Sequence, residues 1–385
     1  MSKPKIRFKG YEEDWEQRKL GDLTTYRNGT GHEEKQSDVG KYELVNLNSI
    51  SIDGGLKPSG KFIDEETETL IKDDLVMVLS DVGHGDLLGR VAIIPENNRF
   101  VLNQRVALLR NNGFADTKYL FSYINAHQRY FKLQGAGSSQ LNISRGSVEN
   151  FEVLLPKRDE QKQIGECFSN LDHLITLHQR KCEETKKLKK YMLQKMFPQN
   201  RKRVPEIRFA GFTDDWEQRK LGELAEIVGG GTPSTSVESY WDGDIDWYAP
   251  AEIGEQIYLK SSQRKITEEG LNKSSAKVLP IGTVLFTSRA GIGKTAILLK
   301  EGCTNQGFQS IVPNKNKLDL YFIFTRSEEL KRYGETVGAG STFVEVSGKQ
   351  MANMELMMPT TMDEQQKIGE YFSNLDNLIT LHQCK

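Results

Sequence analysis

The sequence has little cysteine, and the few cysteines it has are widely spread. Its 385 residues include four, with no C-x-x-C pair: Cys167, Cys182, Cys303 and Cys384. A disulfide framework and a zinc ribbon both need closely spaced cysteines, so both are excluded. The composition therefore predicts a cytoplasmic protein with no metal site.

Long hydrophobic runs are also missing. Apolar runs such as Val76 to Leu79 are far shorter than the roughly 20 residues that a membrane-spanning helix requires. The basic residues near the N-terminus are followed by Glu12, Glu13 and Asp14 instead of an apolar stretch, so no secretory signal is predicted. We therefore expect no membrane partner.

Signatures of covalent catalysis are absent from the sequence. There is no Pro-Pro pair, which excludes the Asn-Pro-Pro and Asp-Pro-Pro motifs of amino-methyltransferases, and there is no G-x-S-x-G motif. Residues Ser288 to Thr295 resemble a phosphate-binding loop, but Ser288 stands where that motif needs glycine. A glycine-rich turn between two strands is the better interpretation. We predict a non-catalytic chain and keep a stand-alone nuclease or NTPase as a less favoured alternative.

Charge is nearly balanced over the whole chain but not along it. There are 52 basic and 53 acidic residues, a net charge of −1, which argues against nucleic-acid binding by bulk electrostatics alone. Between His178 and Arg203, however, ten lysines and arginines face only Glu183 and Glu184. A solvated helix face is the usual role of such a basic run.

The chain is an imperfect tandem repeat. The segment Trp-Glu-Gln-Arg-Lys-Leu-Gly occurs at 15–21 and again at 216–222, and Ile6-Arg7-Phe8 returns as Ile207-Arg208-Phe209. Residues 135–139 are echoed at 338–342, and residues 168–179 match 372–383 at eleven of twelve positions. The period is far too long for a solenoid, so each unit is a domain with an appendix.

The middles of the two units, Thr24 to Gln134 and Ala225 to Val337, share only scattered echoes such as Asn103-Gln104 and Asn305-Gln306. Nearly identical parts are expected to meet the same kind of partner twice, whereas parts that differ are expected to meet two different targets. The alternative is that the identical ends are only a shared framework.

The middles read as mixed α/β domains. A helix is predicted at Lys118 to Leu133, with a counterpart at Leu318 to Tyr333. The predicted strands, bounded by Gly, Asn and Pro, are Lys41 to Leu47, Leu75 to Leu79, Arg90 to Pro95, Arg105 to Leu109, Asp246 to Ala249, Thr283 to Phe286, Thr295 to Leu299 and Gln309 to Val312.

A long helix follows each domain. The first is predicted from about Glu160 to Met196, some 55 Å at 1.5 Å per residue. Two apolar seams at spacings of four and three, Ile164, Phe168, Leu171 and Ile175 in the first helix and Ile368, Phe372, Leu375 and Ile379 in the second, predict an antiparallel pair. His178 and Cys182 stand four residues apart on this seam, where packing is a better interpretation than metal binding.

Polar loops carry the chemistry that remains. Arginine recognises guanine, asparagine and glutamine recognise adenine, and hydroxyl groups hold phosphate. The candidate DNA-contacting residues are Arg27, Asn28, Thr30, Lys35, His84, Arg90, Asn103, Gln104, Arg105, Ser138, Ser139, Gln140 and Asn142 in the first unit, and Thr232, Ser234, Ser288, Arg289, Lys294, Asn305, Gln306, Ser341 and Thr342 in the second.

The sequence resembles the specificity subunit of a type I restriction-modification system. The resemblance rests on the repeated segments at 15–21 and 216–222, on residues 287–294 with Asn305-Gln306-Gly307-Phe308, and on the Glu-Gln-x-x-Ile-Gly-x-x-Phe-Ser-Asn-Leu-Asp segment that begins each long helix. It extends over essentially the whole chain.

The resemblance implies a mixed α/β (α+β) fold with two globular target recognition domains, joined by long antiparallel coiled-coil helices in a pseudo-twofold tandem repeat. It places the domains at 1–155 and 201–358, the first spacer helix at 156–200, and a second, shortened spacer helix at 359–385. The first helix runs on from Lys181 to Phe197, whereas the second stops at Lys385.

The resemblance also implies function and partners. Each domain would read one half of a bipartite double-stranded DNA site, with the helices setting the gap between the halves. Two modification subunits would bring S-adenosylmethionine for adenine methylation, and restriction subunits would bring ATP- and Mg²⁺-dependent cleavage, so no cofactor is expected on this chain. Trp15, Trp216 and the two seams are the predicted partner and helix interface. A scaffold for two protein partners that reads no DNA is the alternative.

Overall fold

The structure, a computed structural model, describes residues 4–65, 67–82, 84–199, 202–289, 291–338 and 345–383. It divides into two compact units, Met1–Thr176 and Leu177–Lys385, called unit 1 and unit 2 below. Each unit repeats the same order of elements: a short strand, a one-turn helix, two sheets, two helices and a strand that precedes a long helix.

Unit 1 contains the first half of these elements. In chain order they are β1 (Glu16–Lys19), α1 (Leu20–Leu23), β2 (Thr24–Asn28), β3 (Tyr42–Val45), β4 (Phe62–Ile63), β5 (Leu75–Val78), β6 (Ser80–Asp81), β7 (Val91–Ile93), β8 (Phe100–Leu102), β9 (Val106–Asn111), α2 (Thr117–Ala126), α3 (Gln128–Gln134), β10 (Leu141–Asn142), α4 (Arg145–Glu149), β11 (Glu152–Leu155) and α5 (Arg158–Lys195), which continues into unit 2.

Unit 2 contains the second half. Its elements are β12 (Glu217–Lys220), α6 (Leu221–Leu224), β13 (Ala225–Gly229), β14 (Trp241–Tyr248), β15 (Tyr258–Leu259), β16 (Arg264–Ile266), α7 (Glu268–Asn272), β17 (Val284–Phe286), β18 (Thr295–Leu298), β19 (Cys303–Thr304), β20 (Gln309–Pro313), α8 (Leu320–Thr325), α9 (Ser327–Gly338), α10 (Gly348–Ala352), β21 (Glu355–Met358) and α11 (Met362–His382).

A central sheet in each unit separates two hydrophobic cores. The strand order is β2-β9-β5-β7 in unit 1 and β13-β20-β17-β18-β15 in unit 2, and a mixed three-stranded sheet accompanies each. Successive side chains of a strand point to opposite faces. Leu75 and Met77 accordingly enter the core that contains α2, and Val76 and Val78 enter the core on the other face. This burial on both faces explains why the run from Leu75 to Val78 is apolar throughout.

The predicted strands of the central sheets are confirmed, but both predicted helices are broken into two. The first is interrupted at His127 (φ −106°, ψ 32°) and the second at Arg326 (φ −91°, ψ 14°). At each break the amide bonds to the carbonyl three residues back, on Ile124 and Ile323, which tightens the last turn and redirects the chain. The periodicity of apolar residues continues across both breaks, and for this reason it predicted one helix where the structure has two.

The repeated segments hold each long helix against its own unit. β1 pairs antiparallel with β11, and β12 with β21. At the start of the long helices, Arg7 donates two hydrogen bonds to Glu160 (2.7 and 2.8 Å), and Arg208 donates two to Glu364 at the same distances. Both carboxylates are almost fully buried, at 0% and 1% exposed. We call this arrangement of strand pair and ion pair the helix clamp.

The rest of the Glu-Gln-x-x-Ile-Gly segment completes the clamp. Gln161 accepts a hydrogen bond from the backbone amide of Asp116 (2.8 Å), the residue that precedes α2. Gln365 accepts one from the amide of Asp319 (3.0 Å), which precedes α8. A Cβ on Gly369 would lie closer than 3.0 Å to the Asp319 carboxylate, so only glycine permits this approach. These contacts favour the shared-framework interpretation of the identical ends.

In unit 2 the last part of α5 runs antiparallel to α11. Reading along α5, His178 contacts His382, Cys182 contacts Ile379, and Lys189 contacts Asp376. Residue numbers increase along α5 while those of the contacting residues decrease along α11, so the two helices are antiparallel. The direction is as predicted, but these contacts lie beyond the predicted seam of Ile164, Phe168, Leu171 and Ile175.

Substituting Glu364→Gln removes the charge of the carboxylate and leaves the Arg208 guanidinium buried without its counter-charge. We expect the free energy of unfolding of unit 2 to fall by about 3 kcal/mol, because breaking one side of a buried ion pair costs more than the pair contributes. Chemical denaturation followed by tryptophan fluorescence measures this change.

The matched control is Glu223→Gln. Glu223 also accepts a hydrogen bond from an arginine, Arg219, at 2.8 Å, but both side chains are exposed. We expect no measurable change, because exposed ion pairs contribute little. Equal losses for the two variants would contradict the importance of the clamp.

Candidate nucleic-acid interface

Two adjoining grooves in unit 1 collect residues that the sequence singled out. The first, of about 360 Å³, is called the strand-end groove; it is lined by Tyr26, Asn28, Gly29, Leu79, Ser80, Arg105, Val106, Asn142, Ile143 and Arg145. The second, of about 250 Å³, is called the turn groove; it is lined by Glu33, Gln36, Asn46, Leu47, Asn48, Asn103, Gln104 and Arg105. Arg105 lines both grooves, so the two form one polar surface.

The turn at Asn103 exists because a glycine lets two backbone segments touch. A Cβ on Gly29, directly after β2, would lie closer than 3.0 Å to the Asn103 carbonyl oxygen. The Asn103 side chain is used inside the turn, where Oδ1 accepts from the Gln104 amide (2.8 Å), and the residue is only 8% exposed. Gln104 is half-buried and Arg105, in the left-handed region at φ 69°, is exposed. Asn103 thus shapes the turn, and the next two residues, Gln104 and Arg105, face outward.

Unit 2 repeats this construction with different surroundings. A Cβ on Gly230 would lie closer than 3.0 Å to the Asn305 carbonyl oxygen, and Asn305 Oδ1 accepts from the Gly307 amide at 2.7 Å. Gln306 is exposed, and its side-chain oxygen accepts a hydrogen bond from the Thr232 hydroxyl. In both units, therefore, the asparagine of the repeated Asn-Gln pair fixes the turn, and the glutamine that follows it lies at the surface.

The basic candidates on β2 and in the loop after it already have ion-pair partners. Arg27 forms an ion pair with Glu68, and Lys35 forms one with Glu65 at 2.6 Å. Partial burial lowers the pKa of Arg27. Thr30 lies 3.2 Å from the ring of His32. A phosphate at this position has to replace the carboxylates of Glu68 and Glu65.

Most of the other candidates are distributed among exposed loops, and Asn142, on β10, lines the strand-end groove. Gln140 bonds to Ser80 at the edge of the strand-end groove, and Ser234 bonds to Ser236 at 2.8 Å. His84, Ser138, Ser139, Asn142 and Lys294 are exposed, and Arg289 is half-buried. Ser341 and Thr342 lie outside the described residues.

Two candidates are misplaced. Ser288 is fully buried, with its backbone amide bonded to the Gly307 carbonyl, so its side chain cannot touch DNA from this position. The Arg90 guanidinium donates to the Asn125 carbonyl of α2 at 3.2 Å and lines a different cavity, beside Trp15. Both were selected as members of polar loops, and the sequence does not show which side chains of a loop are buried.

The glycine-rich segment is a turn between two strands, as predicted. It connects β17 to β18, and the Thr287 hydroxyl accepts from the Lys294 amide at 2.9 Å. A phosphate-binding loop needs a helix after the glycines. The NTPase alternative based on this segment is therefore wrong.

Sequence reasoning missed several residues that line the grooves. The Arg145 guanidinium lies 5.2 Å from the centre of the Tyr26 ring, and the Tyr26 hydroxyl donates to Asn28 Oδ1 at 2.6 Å. Ser80, Gln36, Asn46 and Asn48 complete the lining. They come from segments far apart in sequence, and no motif linked them.

The predicted partner and helix interface differs between the units. Ile368, Phe372 and Leu375 are buried in unit 2, and Ile379 is half-buried, whereas in unit 1 Ile164 is half-buried and Phe168, Leu171 and Ile175 are exposed. Trp15 is half-buried, but Trp216 is 1% exposed and its indole nitrogen lies 3.3 Å from Glu364. Trp216 therefore contacts the long helix α11, as one part of the prediction has it, and is too buried for a direct contact with a partner subunit.

The described parts of the chain contain neither a metal-binding cluster nor a membrane-spanning helix. No group of three or more His, Cys, Asp or Glu side chains there is arranged to hold a metal ion. No helix of these parts is long and apolar enough to cross a membrane.

Comparison with known proteins identifies this kind of chain. Residues 12–187 and 213–385 each match the family described as the type I restriction modification DNA specificity domain. The type I restriction enzyme MjaIX specificity subunit of Methanocaldococcus jannaschii is 38% identical over 169 residues, which are 43% of this chain and 39% of that protein. The putative MjaX specificity subunit of the same organism is 27% identical over 387 residues, covering 96% of this chain and 88% of that protein.

The fold has a solved counterpart. The crystal structure of the S subunit of a type I restriction-modification system from M. genitalium aligns over 99% of this chain and 94% of that chain, with a TM-score of 0.68 and 16% identity. The comparisons thus define a protein with two DNA specificity domains in tandem. The chain belongs to the type I restriction modification DNA specificity family, and it is a non-catalytic specificity subunit, as the sequence predicted.

Ser288→Ala and Arg289→Ala form a pair of neighbouring tests. Ser288 has a buried hydroxyl with no hydrogen-bond partner among the described residues, so its removal should leave stability and DNA affinity unchanged or slightly improved. Loss of the Arg289 guanidinium should weaken DNA binding about tenfold, because phosphate and base contacts of arginine are typically worth 1–3 kcal/mol. Thermal unfolding and fluorescence anisotropy on duplex DNA measure the two effects. A larger loss of affinity for Ser288→Ala would contradict the assignment.

Proposed function

We propose that each unit reads one half of a bipartite double-stranded DNA site and so directs the methylation of adenine, or restriction, by partner subunits. The observation that carries this proposal is the contrast within the repeat. The helix clamp is built from the same residues twice, whereas the residues that line the outward-facing turns differ between the units. A shared framework with two different polar surfaces suits two different half-sites.

The chemistry of the presented groups supports base reading. Gln104 and Arg105 face outward at the turn groove, and Gln306 does so in unit 2. Glutamine pairs with adenine and arginine with guanine through two hydrogen bonds in the major groove. Asn103 and Asn305 are assigned to shaping the turns, because their side chains bond to the backbone.

The charge of the chain supports a need for partners. A net charge of −1 supplies little general attraction to DNA, and Arg27 and Lys35 are already paired with carboxylates. We assign the remaining grip on DNA to two modification subunits, with restriction subunits joining the same complex. S-adenosylmethionine, ATP and Mg²⁺ belong to those subunits, and the complex acts in the cytoplasm.

The long helices are assigned the role of a ruler. α5 has 38 residues, about 57 Å at 1.5 Å per residue, which is well over one turn of duplex DNA at roughly 34 Å. The number of residues in this helix is therefore proposed to fix the gap between the half-sites.

Arg105→Ala should weaken binding to the specific duplex about tenfold, or more, and relax selectivity at one position of one half-site. One well-placed arginine contact to guanine is worth about 1–3 kcal/mol of discrimination. Arg180→Ala is the matched control, since Arg180 is an exposed arginine on α5 paired with Glu184. Both are measured by anisotropy in the complex with modification subunits. Equal losses would mean that Arg105 contributes only general charge.

Replacing residues 225–337 with the corresponding segment of another specificity subunit should alter one half of the methylated motif only. The segment contains the variable loops of unit 2 and, of the residues that form its clamp, only Asp319. The measurement is single-molecule sequencing of host DNA from cells that express the chain with its modification subunits. A change in both halves would contradict modular reading, and the absence of any modified motif with the parent chain would favour a protein scaffold.

A further inference from the structure

Unit 2 contains an exposed arginine that none of the sites above includes. Arg264 lies on β16, and its guanidinium carbon is 3.7 Å from the centre of the Trp241 ring. Trp241 is 7% exposed and stands edge-on to Trp247, with ring centres 5.2 Å apart. Among the described residues, the Arg264 side chain has no ion-pair or hydrogen-bond partner. A buried indole thus holds the plane of the guanidinium, while its N–H donors remain free.

The same two tryptophans hold the loop that follows β13. The Trp247 indole donates to the Gly231 carbonyl at 2.8 Å, and the Trp241 indole donates to the Ser234 carbonyl at 3.1 Å. Thr232 lies between these two residues, and its hydroxyl donates to the exposed glutamine of the Asn-Gln pair in this unit. The ring under the arginine therefore also fixes the loop beside the outward-facing turn of unit 2.

A buried carboxylate fixes the strand that carries Arg264. Asp246, which is 0% exposed, accepts from the Ser262 amide at 3.0 Å and from Lys300 Nζ at 2.8 Å. The Ser262 hydroxyl donates to the Arg264 carbonyl at 2.5 Å. In the resulting register Arg264 stands directly opposite Trp247 of β14. Opposite residues of paired strands share a face, so the arginine side chain lies on the face of the tryptophans.

Unit 1 repeats this construction with a different result. Glu43, which is 4% exposed, accepts from the Ser59 amide at 2.9 Å, and the Ser59 hydroxyl donates to the Lys61 carbonyl at 3.0 Å. Lys61 thus occupies the place that the arginine has in unit 2. It forms an ion pair with Asp38 at 2.7 Å. The same backbone frame therefore presents a neutralised lysine in one unit and an unpaired arginine in the other.

We propose that Arg264 recognises a guanine in the half-site that unit 2 reads, by donating two hydrogen bonds to O6 and N7 of that base. Arginine to guanine is the commonest specific contact in the major groove. Two acceptors on one base edge require a fork held in one orientation, which the stack on Trp241 provides, whereas a phosphate accepts from many directions. The assignment rests on the proposed function and adds to it one residue and one base.

The test variant is Arg264→Met. Methionine removes the fork and the charge but keeps an unbranched side chain over Trp241, so thermal unfolding should match that of the parent chain. The methylated motif is read by single-molecule sequencing in cells that also express the modification subunits. One guanine position should become degenerate in the half that the exchange of residues 225–337 alters, and the other half should not change.

Binding in the complex with modification subunits gives the magnitude. Fluorescence anisotropy compares the parent duplex with duplexes that carry each other base pair at that guanine position. We expect the preference for guanine to fall about tenfold or more in Arg264→Met, because one two-point contact accounts for discrimination of that size. Arg264→Gln should lose the same preference, which shows that the result does not depend on how methionine packs.

The matched control is Arg332→Met. Arg332 is an exposed arginine of unit 2 on α9, whose Nε donates to the Glu328 carbonyl at 3.3 Å. This substitution removes the same charge from the same unit, so any general electrostatic effect on DNA affinity is equal. The methylated motif and the preference for guanine should stay as in the parent chain.

Three results would overturn the assignment. They are equal weakening by Arg264→Met on every duplex, equal effects of the Arg264 and Arg332 variants, and a degenerate position in the other half-site. A split motif that both Arg264 variants leave intact overturns this assignment but not the proposed function. The absence of a split motif with the parent chain removes both.

Discussion

The buried ion pair between an arginine near the start of each unit and a glutamate in the first turn of its long helix is the constraint on which the structure depends. Arg7 with Glu160 and Arg208 with Glu364 join segments about 150 residues apart in sequence. Desolvating two charges is costly unless both are fully paired, and the two-point geometry meets that condition. It fixes where each long helix begins relative to the sheets.

The clamp changes the meaning of the repeated motif. The same Glu-Gln-x-x-Ile-Gly residues that identify the family pair with arginine, accept a hydrogen bond from the residue before α2 or α8, and allow close backbone approach. The identical ends of the two units are therefore needed for folding whatever else they contact. In unit 1, side chains beyond this motif, such as Phe168 and Leu171, remain exposed.

Glycine and asparagine prepare the polar surface that faces outward. Gly29 and Gly230 bring the loop after the first sheet strand against the turns at Asn103 and Asn305, and each asparagine satisfies its own turn. The residue that follows is left for recognition. Specificity can then differ between units by changes in the residues around a turn whose backbone is the same.

The tandem repeat, the family, the apolar seams of the long helices and the β-rich character of the middles could be predicted from the residues alone, because they depend on local periodicity and on near-identity over short segments. Which polar residues share a groove depends on the fold. Arg145 and Tyr26 are distant in sequence and adjacent in space, and Ser288 is buried beside exposed neighbours. Side-chain direction depends on strand register and burial, and neither is visible in a list of polar loops. The burial of the seams could not be predicted for the same reason. Phe372 is buried and Phe168 is exposed although their spacing is identical, because burial depends on what packs against each helix.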